Sequence, residues 1–328
     1  MSFLPNAFTE FVSPECNRFL FLQDYLASCN IPYSVISIEN CNHIIIRFNQ
    51  ECFNQNYKIK TIIAHYDRAV GKDNSYITPG ANDNSASVFQ LIKLAQKIIH
   101  SSKSFKTNFF NIRIIFTDGE ELGSAQEQGS FALASLFRKL QLSESDIYVI
   151  DGCGRGDVLA VSTTGRSEKA NSAFLKKYDF LFNRACKIAQ IASRGKFATI
   201  PVPYSDNAGF IANGIPAVAL TVLPSDEMND YMRNLKNDRN LLQYVLTNGS
   251  IFHEGVSVRL NASNTSELIE TMRKVHIDPT EVLLMSEKLP KTWRMMHTEF
   301  DNAANLTESA FLLMERFLEL LTESNIPL

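Results

Sequence analysis

Histidines and carboxylates follow the apolar runs of this sequence, at the positions where a folded chain can place side chains for chemistry. His65 and Asp67 close the run Lys60 to Ala64 in the segment IIAHYD, Glu120 and Glu121 follow Ile112 to Phe116 in IRIIFTDGEE, and Asp151 follows Ile147 to Ile150 in IYVIDG. In an open α/β sheet, ligands bind in the crevice outside the carboxyl ends of the strands, so these five side chains are expected to converge on one edge. Imidazoles and carboxylates are acid–base groups, and a crevice lined by them is suited to moving protons on a bound ligand. Asp83, in the turn GANDNSAS just before an amphipathic helix, can reach the same crevice. Taken alone, Asp83 reads as a helix N-cap and Asp151-Gly152 as a strand-ending turn. Their place in the series raises both.

The elements that must position these groups are legible as hydrophobic patterns. Near-continuous apolar runs of strand length occur at His43 to Phe48, Ile59 to Ala64, Ile112 to Phe116, Ile147 to Ile150, Val158 to Val161 and Ala217 to Val222. Helix-period segments lie between several of them, at Ser85 to His100, Phe131 to Leu140 and Asn171 to Ile191, and a last one runs from about Glu308 to Leu321. Strands that are apolar throughout, separated by amphipathic helices, predict an α/β fold. The expectation is a doubly wound, three-layer arrangement: a mixed, mostly parallel sheet with helices on both faces. No repeat or linker divides the chain, so residues 1–328 read as one domain. Pro224 to Met296 is rich in helix formers and charge with no clear strand, and reads as a helical excursion.

Composition narrows the partners. A formal net charge of -3 leaves no basic surplus to neutralise phosphates, which argues against nucleic acid and membrane surfaces as partners. No apolar run approaches the ~20 residues that span a bilayer, and the first residues lack a basic stretch followed by an apolar one, so a cytosolic location is expected. The cysteines at 16, 29, 41, 52, 153 and 186 show no C-x-x-C pairing and read mostly as small buried hydrophobes.

The order of the motifs resembles one family. H-x-D (His65, Asp67), G-A-x-D-N around Asp83, the pair Glu120-Glu121, D-G at Asp151, S-D-x-x-x-F from Ser205 with G-I-P-A, and H-T-x-x-D from His297 to Asp301 are similar to the co-catalytic zinc aminopeptidases. Relatives in that family include glutamate carboxypeptidase and glutaminyl cyclase. Each motif alone is weak; the ordered series, from about Thr61 to Asp301, is specific. The resemblance implies two zinc ions, with manganese or cobalt as substitutes, held by His65, Asp83, Glu121, Asp151 and His297. His65 and His297 would share one ion with Asp83, while Glu121 and Asp151 take the second with the other Asp83 oxygen. Ions sharing a carboxylate lie roughly 3.5 to 4 Å apart, close enough for one hydroxide to bridge them. Glu120 would be the general base and then acid. Asp67 would orient the His65 ring. The family also joins the residues at 83 and 84 by a cis peptide.

The implied activity is release of N-terminal residues from a peptide substrate. The same metals could instead serve a carboxypeptidase, a deacylase of N-acyl amino acids or a glutaminyl cyclase, and a reading from another class is an inactive binding scaffold. Where many relatives have Ser-Asp-His, this chain has Ser205-Asp206-Asn207. Tyr204 beside it reads equally as an oxyanion donor or as a half-buried packing residue. The excursion at 224–296 is expected to be a lid or an oligomer surface.

Overall fold

The apolar runs that end in acids and histidines form the centre of an eight-stranded sheet. The computed structural model describes residues 3–325 apart from 71–76, 105–109, 123–125, 167–169, 248–250, 254–255 and 259–283. The strands are β1 (Tyr33–Ile38), β2 (Cys41–Ile46), β3 (Lys60–His65), β4 (Ile112–Thr117), β5 (Asp146–Ile150), β6 (Val158–Ser162), β7 (Phe197–Ile200) and β8 (Ala217–Leu223). Their order across the sheet is β1-β2-β4-β3-β5-β8-β6-β7. The core strands β4, β3, β5 and β8 run parallel, β6 and β7 are parallel to each other, and β1, β2 and the β6/β8 pair supply the antiparallel junctions. The expected mixed, mostly parallel sheet is what forms.

Alternation along each central strand feeds two cores. Ile62 and Ala64 of β3, Ile114 and Phe116 of β4, and Tyr148 and Ile150 of β5 pack on one face; Ile63, Ile115, Ile147 and Val149 pack on the other. The helices α1 (Asn6–Phe11), α2 (Arg18–Ser28), α3 (Ala86–Ser104) and α5 (Ser172–Ala192) cover the first face, and α4 (Gly129–Lys139) and α6 (Asn207–Ala212) the second. Burial on both sides explains why these strands read as unbroken apolar runs. At the base of β3 the buried Lys60 reverses that pattern. Its Nζ donates to the carbonyls of Thr322 and Ser324 and to Asn325 Oδ1, at 2.8, 3.2 and 3.2 Å.

Two strands and the first two helices were not expected from the sequence. β1 is an edge strand with alternating exposure and β7 is a four-residue edge strand, so neither carries an apolar run. The excursion is helical at α7 (Ser225–Asn237) and α8 (Arg239–Leu246), but it also holds an antiparallel hairpin, Ile251–His253 with Val256–Val258, which corrects the strand-free expectation. Three-residue strands are too short to register as a pattern. Residues 259–283 of the excursion lie outside the described residues. After it come α9 (Lys291–Met295) and α10 (Glu308–Glu323), the latter lying against α3 and α5. Among the described residues, no helix is long and apolar enough to cross a membrane. The cysteines are free; Cys41, Cys52 and Cys153 are buried and the other three half-buried.

Candidate metal centre

The carboxyl ends of β3, β4 and β5 lie side by side, with His65 in register with Thr117 and Ile63 with Val149. The loops that leave these ends therefore start within a strand spacing of each other, and they carry His65 and Asp67, Glu120 and Glu121, and Asp151. Two further segments close in from outside the sheet: the turn before α3, with Asp83, and the loop after α9, with His297.

Asp83 is the hub. His65 Nε2 lies 3.2 Å from its Oδ1 and His297 Nε2 3.1 Å from its Oδ2, so each oxygen of one carboxylate faces a different imidazole. His65 Nε2 also lies 3.7 Å from Asp151 Oδ1, and His297 Nε2 3.1 Å from Glu121 Oε2. Ligand atoms of His65, Asp83 and Glu121 fall within 4.8 Å of one another. The resemblance implies that both histidines share one ion, whereas the side chains group differently. His65 groups with Asp151 and His297 with Glu121, because the imidazoles sit on opposite sides of Asp83. The residue order of a sequence does not specify which oxygen each neighbour meets.

Asp83 does not cap α3. Its backbone is non-helical, the Asp83–Asn84 peptide is cis as the family pattern implies, and its side chain turns to the histidines. The turn is held from two sides. Asp301 accepts the N–H groups of Asn82 and Asp83 at 2.8 and 3.0 Å, and the buried Arg18 of α2 donates to the carbonyls of Pro79 and Gly80 and to Ser85 Oγ. Burial, and then the nearby Arg68, pull the Arg18 guanidinium down to about 9.

Asp67 has a wider task than orienting a ring. Its Oδ1 faces His65 Nδ1 at 3.3 Å, and its two oxygens accept the Glu120 and Glu121 N–H groups at 3.2 and 3.0 Å. One carboxylate thus aligns a histidine of one strand end with both glutamates of the next. Gln128 Nε2 donates to the Glu120 carbonyl at 2.7 Å and to its Oε1 at 3.2 Å. Thr117 Oγ1 donates to the buried Asp206 at 2.5 Å. Arg18, Gln128 and Thr117 were not singled out from the sequence and nothing there marks them; Asp206 is the aspartate of the S-D motif.

The protonation pattern follows from this crowding of acids. Burial alone would lower His65 and His297. Contact with Asp151, Asp67 and Asp83 holds His65 well above its ordinary range instead, and Glu121 and Asp83 do the same for His297. Burial, opposed by His65 and reinforced by Glu121, Asp151 and Asp206, pushes the Glu120 carboxyl well up. Burial likewise pushes Asp206 up to about 6. His65 Nε2, Glu121 Oε1 and Asp151 Oδ1 are buried without a hydrogen-bond partner of good geometry in the protein. An orphaned imidazole nitrogen and carboxylate oxygens, with no thiolate among them, are the donor set that divalent zinc, manganese or cobalt satisfies. The residues present fit such ions.

The sequence from 53 to 320 matches the family model for Peptidase family M28. The chain belongs to that family. Its class is therefore that of a peptidase, and the members of the candidate centre from His65 to His297 all lie inside the matched region. The M28 assignment is accompanied by a shared fold. A Zn-dependent exopeptidase from Parabacteroides distasonis is 14% identical with a TM-score of 0.57, covering 97% of each chain. A leucine aminopeptidase precursor from Bacteroides thetaiotaomicron is 14% identical with a TM-score of 0.56, covering 97% of this chain and 96% of that one. Glutaminyl cyclase from Porphyromonas gingivalis, also 14% identical with a TM-score of 0.56, covers 96% of both chains. No curated protein matches the sequence.

Within this M28 peptidase the structure brings His65, Asp67, Asp83, Glu121, Asp151 and His297 into mutual contact, with Glu120 held beside them by Asp67 and Gln128. Tyr204 is half-buried, and burial pushes its hydroxyl up. It lies near Tyr178, whose hydroxyl donates to the carbonyls of Ser162 and Thr164.

Proposed function

We propose that this M28 peptidase is a metal-dependent aminopeptidase that holds two divalent cations, most naturally zinc. The observation that carries the reading is Asp83, one carboxylate presenting its two oxygens to two separate imidazoles at 3.2 and 3.1 Å. His65, Asp83 and Asp151 would hold one ion, and His297, Asp83 and Glu121 the other. When bound, such a pair of ions polarises the scissile carbonyl and acidifies a water molecule.

The chain's own residues supply the proton path. Glu120 is fixed at its backbone by Asp67 and at its Oε1 by Gln128, leaving its carboxyl beside the cluster to take a proton from the attacking water and return it to the leaving amine. Asp67 keeps the His65 Nδ1 turned toward itself and so Nε2 turned toward Asp83. Tyr204 is the candidate donor to the developing oxyanion; its place two residues before Asp206, which Thr117 anchors and which feels the charges of His65, Asp67 and Asp151, supports that role.

Charge supports a free amine as the recognised end of the substrate. The carboxyl groups of Glu120, Glu121, Asp151 and Asp206 line the crevice, and those not taken up by the ions can accept hydrogen bonds from a substrate ammonium. Among the described residues that touch the cluster, the permanent cation is Arg18, and its guanidinium is committed to backbone carbonyls. A carboxypeptidase would need a cation free to hold the substrate's terminal carboxylate.

The test strips the protein with a chelator, refills it with zinc and measures both stoichiometry and hydrolysis of aminoacyl anilides with free or blocked amines. Two equivalents of zinc and cleavage restricted to free amines are expected. Failure to take up metal refutes the centre. Cleavage of N-acyl substrates, or cyclisation of N-terminal glutamine, keeps the centre and replaces the aminopeptidase.

A further inference from the structure

Two arginines exchange places across the boundary between the N-terminal segment and the candidate centre. Arg18, the first residue of α2, reaches into the site loops: its Nη1 donates to the carbonyls of Tyr66 and Asp67 at 3.1 and 3.0 Å, and its Nη2 to those of Pro79 and Gly80 at 2.7 and 3.2 Å and to Ser85 Oγ at 2.8 Å. Arg68, directly after Asp67, reaches back the other way. Its Nη1 donates to the carbonyls of Val12 and Ser13 at 3.5 and 2.9 Å, and its Nη2 to those of Pro14 and Cys16 at 3.1 and 2.9 Å. Each guanidinium thus gathers the backbone of the segment that carries the other.

The two loops that Arg18 bridges are the ones whose spacing matters most. One bears His65 and Asp67 and the other bears Asp83; the isolated bridge between Val70 and Ile77 and the bonds from Thr78 to the Ala69 carbonyl join them farther out, and Arg18 joins them beside the ligand candidates. Asp301 grips the Asp83 turn by its N–H groups, while Arg18 grips it by its carbonyls, so the turn is fixed from opposite sides. Gly80 marks how close the approach is. Its φ is +55°, and a Cβ there would stand 2.7 Å from the Asp83 carbonyl oxygen, 3.0 Å from Arg18 Nη2 and 3.3 Å from Arg68 Cβ. Behind Arg18, the Phe11 ring lies 4.7 Å from the guanidinium carbon and closes the pocket. A planar fork with five donors suits this task; a lysine ammonium has three donors on a point charge and cannot span four carbonyls on two loops.

We propose that Arg18 and Arg68 form a reciprocal clasp that sets the separation of His65 from Asp83, making the segment from Val12 to Arg18 a positioning part of the metal centre rather than a peripheral addition to the sheet. The inference rests on the metal-centre reading above. Both guanidinium groups are bonded to loop backbone and to Ser85, so both act through the loops they hold.

The test compares parent protein with Arg18→Lys, Arg68→Gln and the double variant, all stripped of metal and shown to be folded by circular dichroism. Zinc affinity is read by competition with a chromophoric chelator, the d–d absorption of the cobalt form reports ligand geometry, and thermal unfolding of the metal-free protein reports general stability. Arg18→Lys is expected to weaken zinc binding about 10- to 100-fold, the range seen when partners behind metal ligands are lost, and to shift the cobalt band. Arg68→Gln should move both readouts in the same direction by less, and the double variant should fall short of the sum because the two act as a unit. Should Arg18→Lys fail to fold, Arg68→Gln, whose half-buried guanidinium points away from the centre to the carbonyls of residues 12 to 16, carries the same comparison. Affinity within about twofold of the parent and an unshifted cobalt band, whatever the melting temperature does, would overturn the clasp. A parent that binds no zinc would overturn the metal centre itself, and the clasp with it.

Discussion

Asp67→Asn removes the least volume for the largest expected effect on the centre. The carboxylate accepts the Glu120 and Glu121 N–H groups at 3.2 and 3.0 Å and faces His65 Nδ1 at 3.3 Å. In the amide one oxygen becomes an NH2, which cannot accept, so one of the two N–H groups loses its partner and His65 loses its anion. A hydrogen bond to a charged group contributes about 1.5–3 kcal/mol. Expressed wholly in metal affinity, at about 1.4 kcal/mol per tenfold, that is a loss of roughly 10- to 150-fold. The assay is a zinc competition titration with kcat/KM on an aminoacyl anilide. Unfolding does not mimic the result: at about 2.1 cal/mol/K per residue, even the full 3 kcal/mol lowers Tm by only about 4 °C in a chain of this length. A variant with zinc affinity and kcat/KM within roughly threefold of the parent would show that Asp67 does not organise the glutamates.

Three further outcomes follow from the same geometry. Glu120→Gln should lower kcat by about 10²- to 10⁴-fold while zinc content stays at the parental level; loss of zinc instead would make Glu120 a ligand. Tyr204→Phe should lower kcat much more than KM, and an unchanged kcat removes Tyr204 from the oxyanion role. His43 is buried and neutral, its Nδ1 accepting the Asp118 N–H at 3.3 Å, and burial pulls it from 6.5 to about 4. As pH falls through that window the unfolded chain takes up a proton that the folded one refuses, so stability is lost progressively, by about 3 kcal/mol in all. Urea unfolding at pH 7, 5.5 and 4 should show a shallower decline for His43→Gln, and an identical slope would assign the acid sensitivity elsewhere.

The chemistry of this protein was legible where local pattern and position coincide. β3, β4 and β5 are buried on both faces, so their apolar runs stand out, and the polar residues that follow them mark the crevice. Asp83 and His297 were recoverable only from the order of motifs, because neither a turn aspartate nor a lone histidine signals its partner. The pairing of side chains around Asp83 was not recoverable, since it depends on which of its oxygens each ring meets. The supports were hidden for a related reason. Arg18 and Gln128 act through side-chain bonds to backbone carbonyls far away or locally unremarkable, and such bonds leave no periodicity. β1 and β7 were missed because edge strands expose alternate residues or are short. The hairpin in the excursion was missed because its strands are three residues long.

Lys60 gives the fold a temporal order during synthesis. The residue sits at the foot of β3, five positions before His65, and its ammonium is bonded to groups at 322, 324 and 325. The ribosome therefore releases the histidine-bearing strand long before it releases the acceptors that satisfy the charge beneath it. Until residues 322 to 325 emerge, the Lys60 amine lacks these acceptors, and burying it without them would be costly. The foot of β3, and with it the strand that ends in His65, is thus completed by contacts 262 to 265 residues further along the chain.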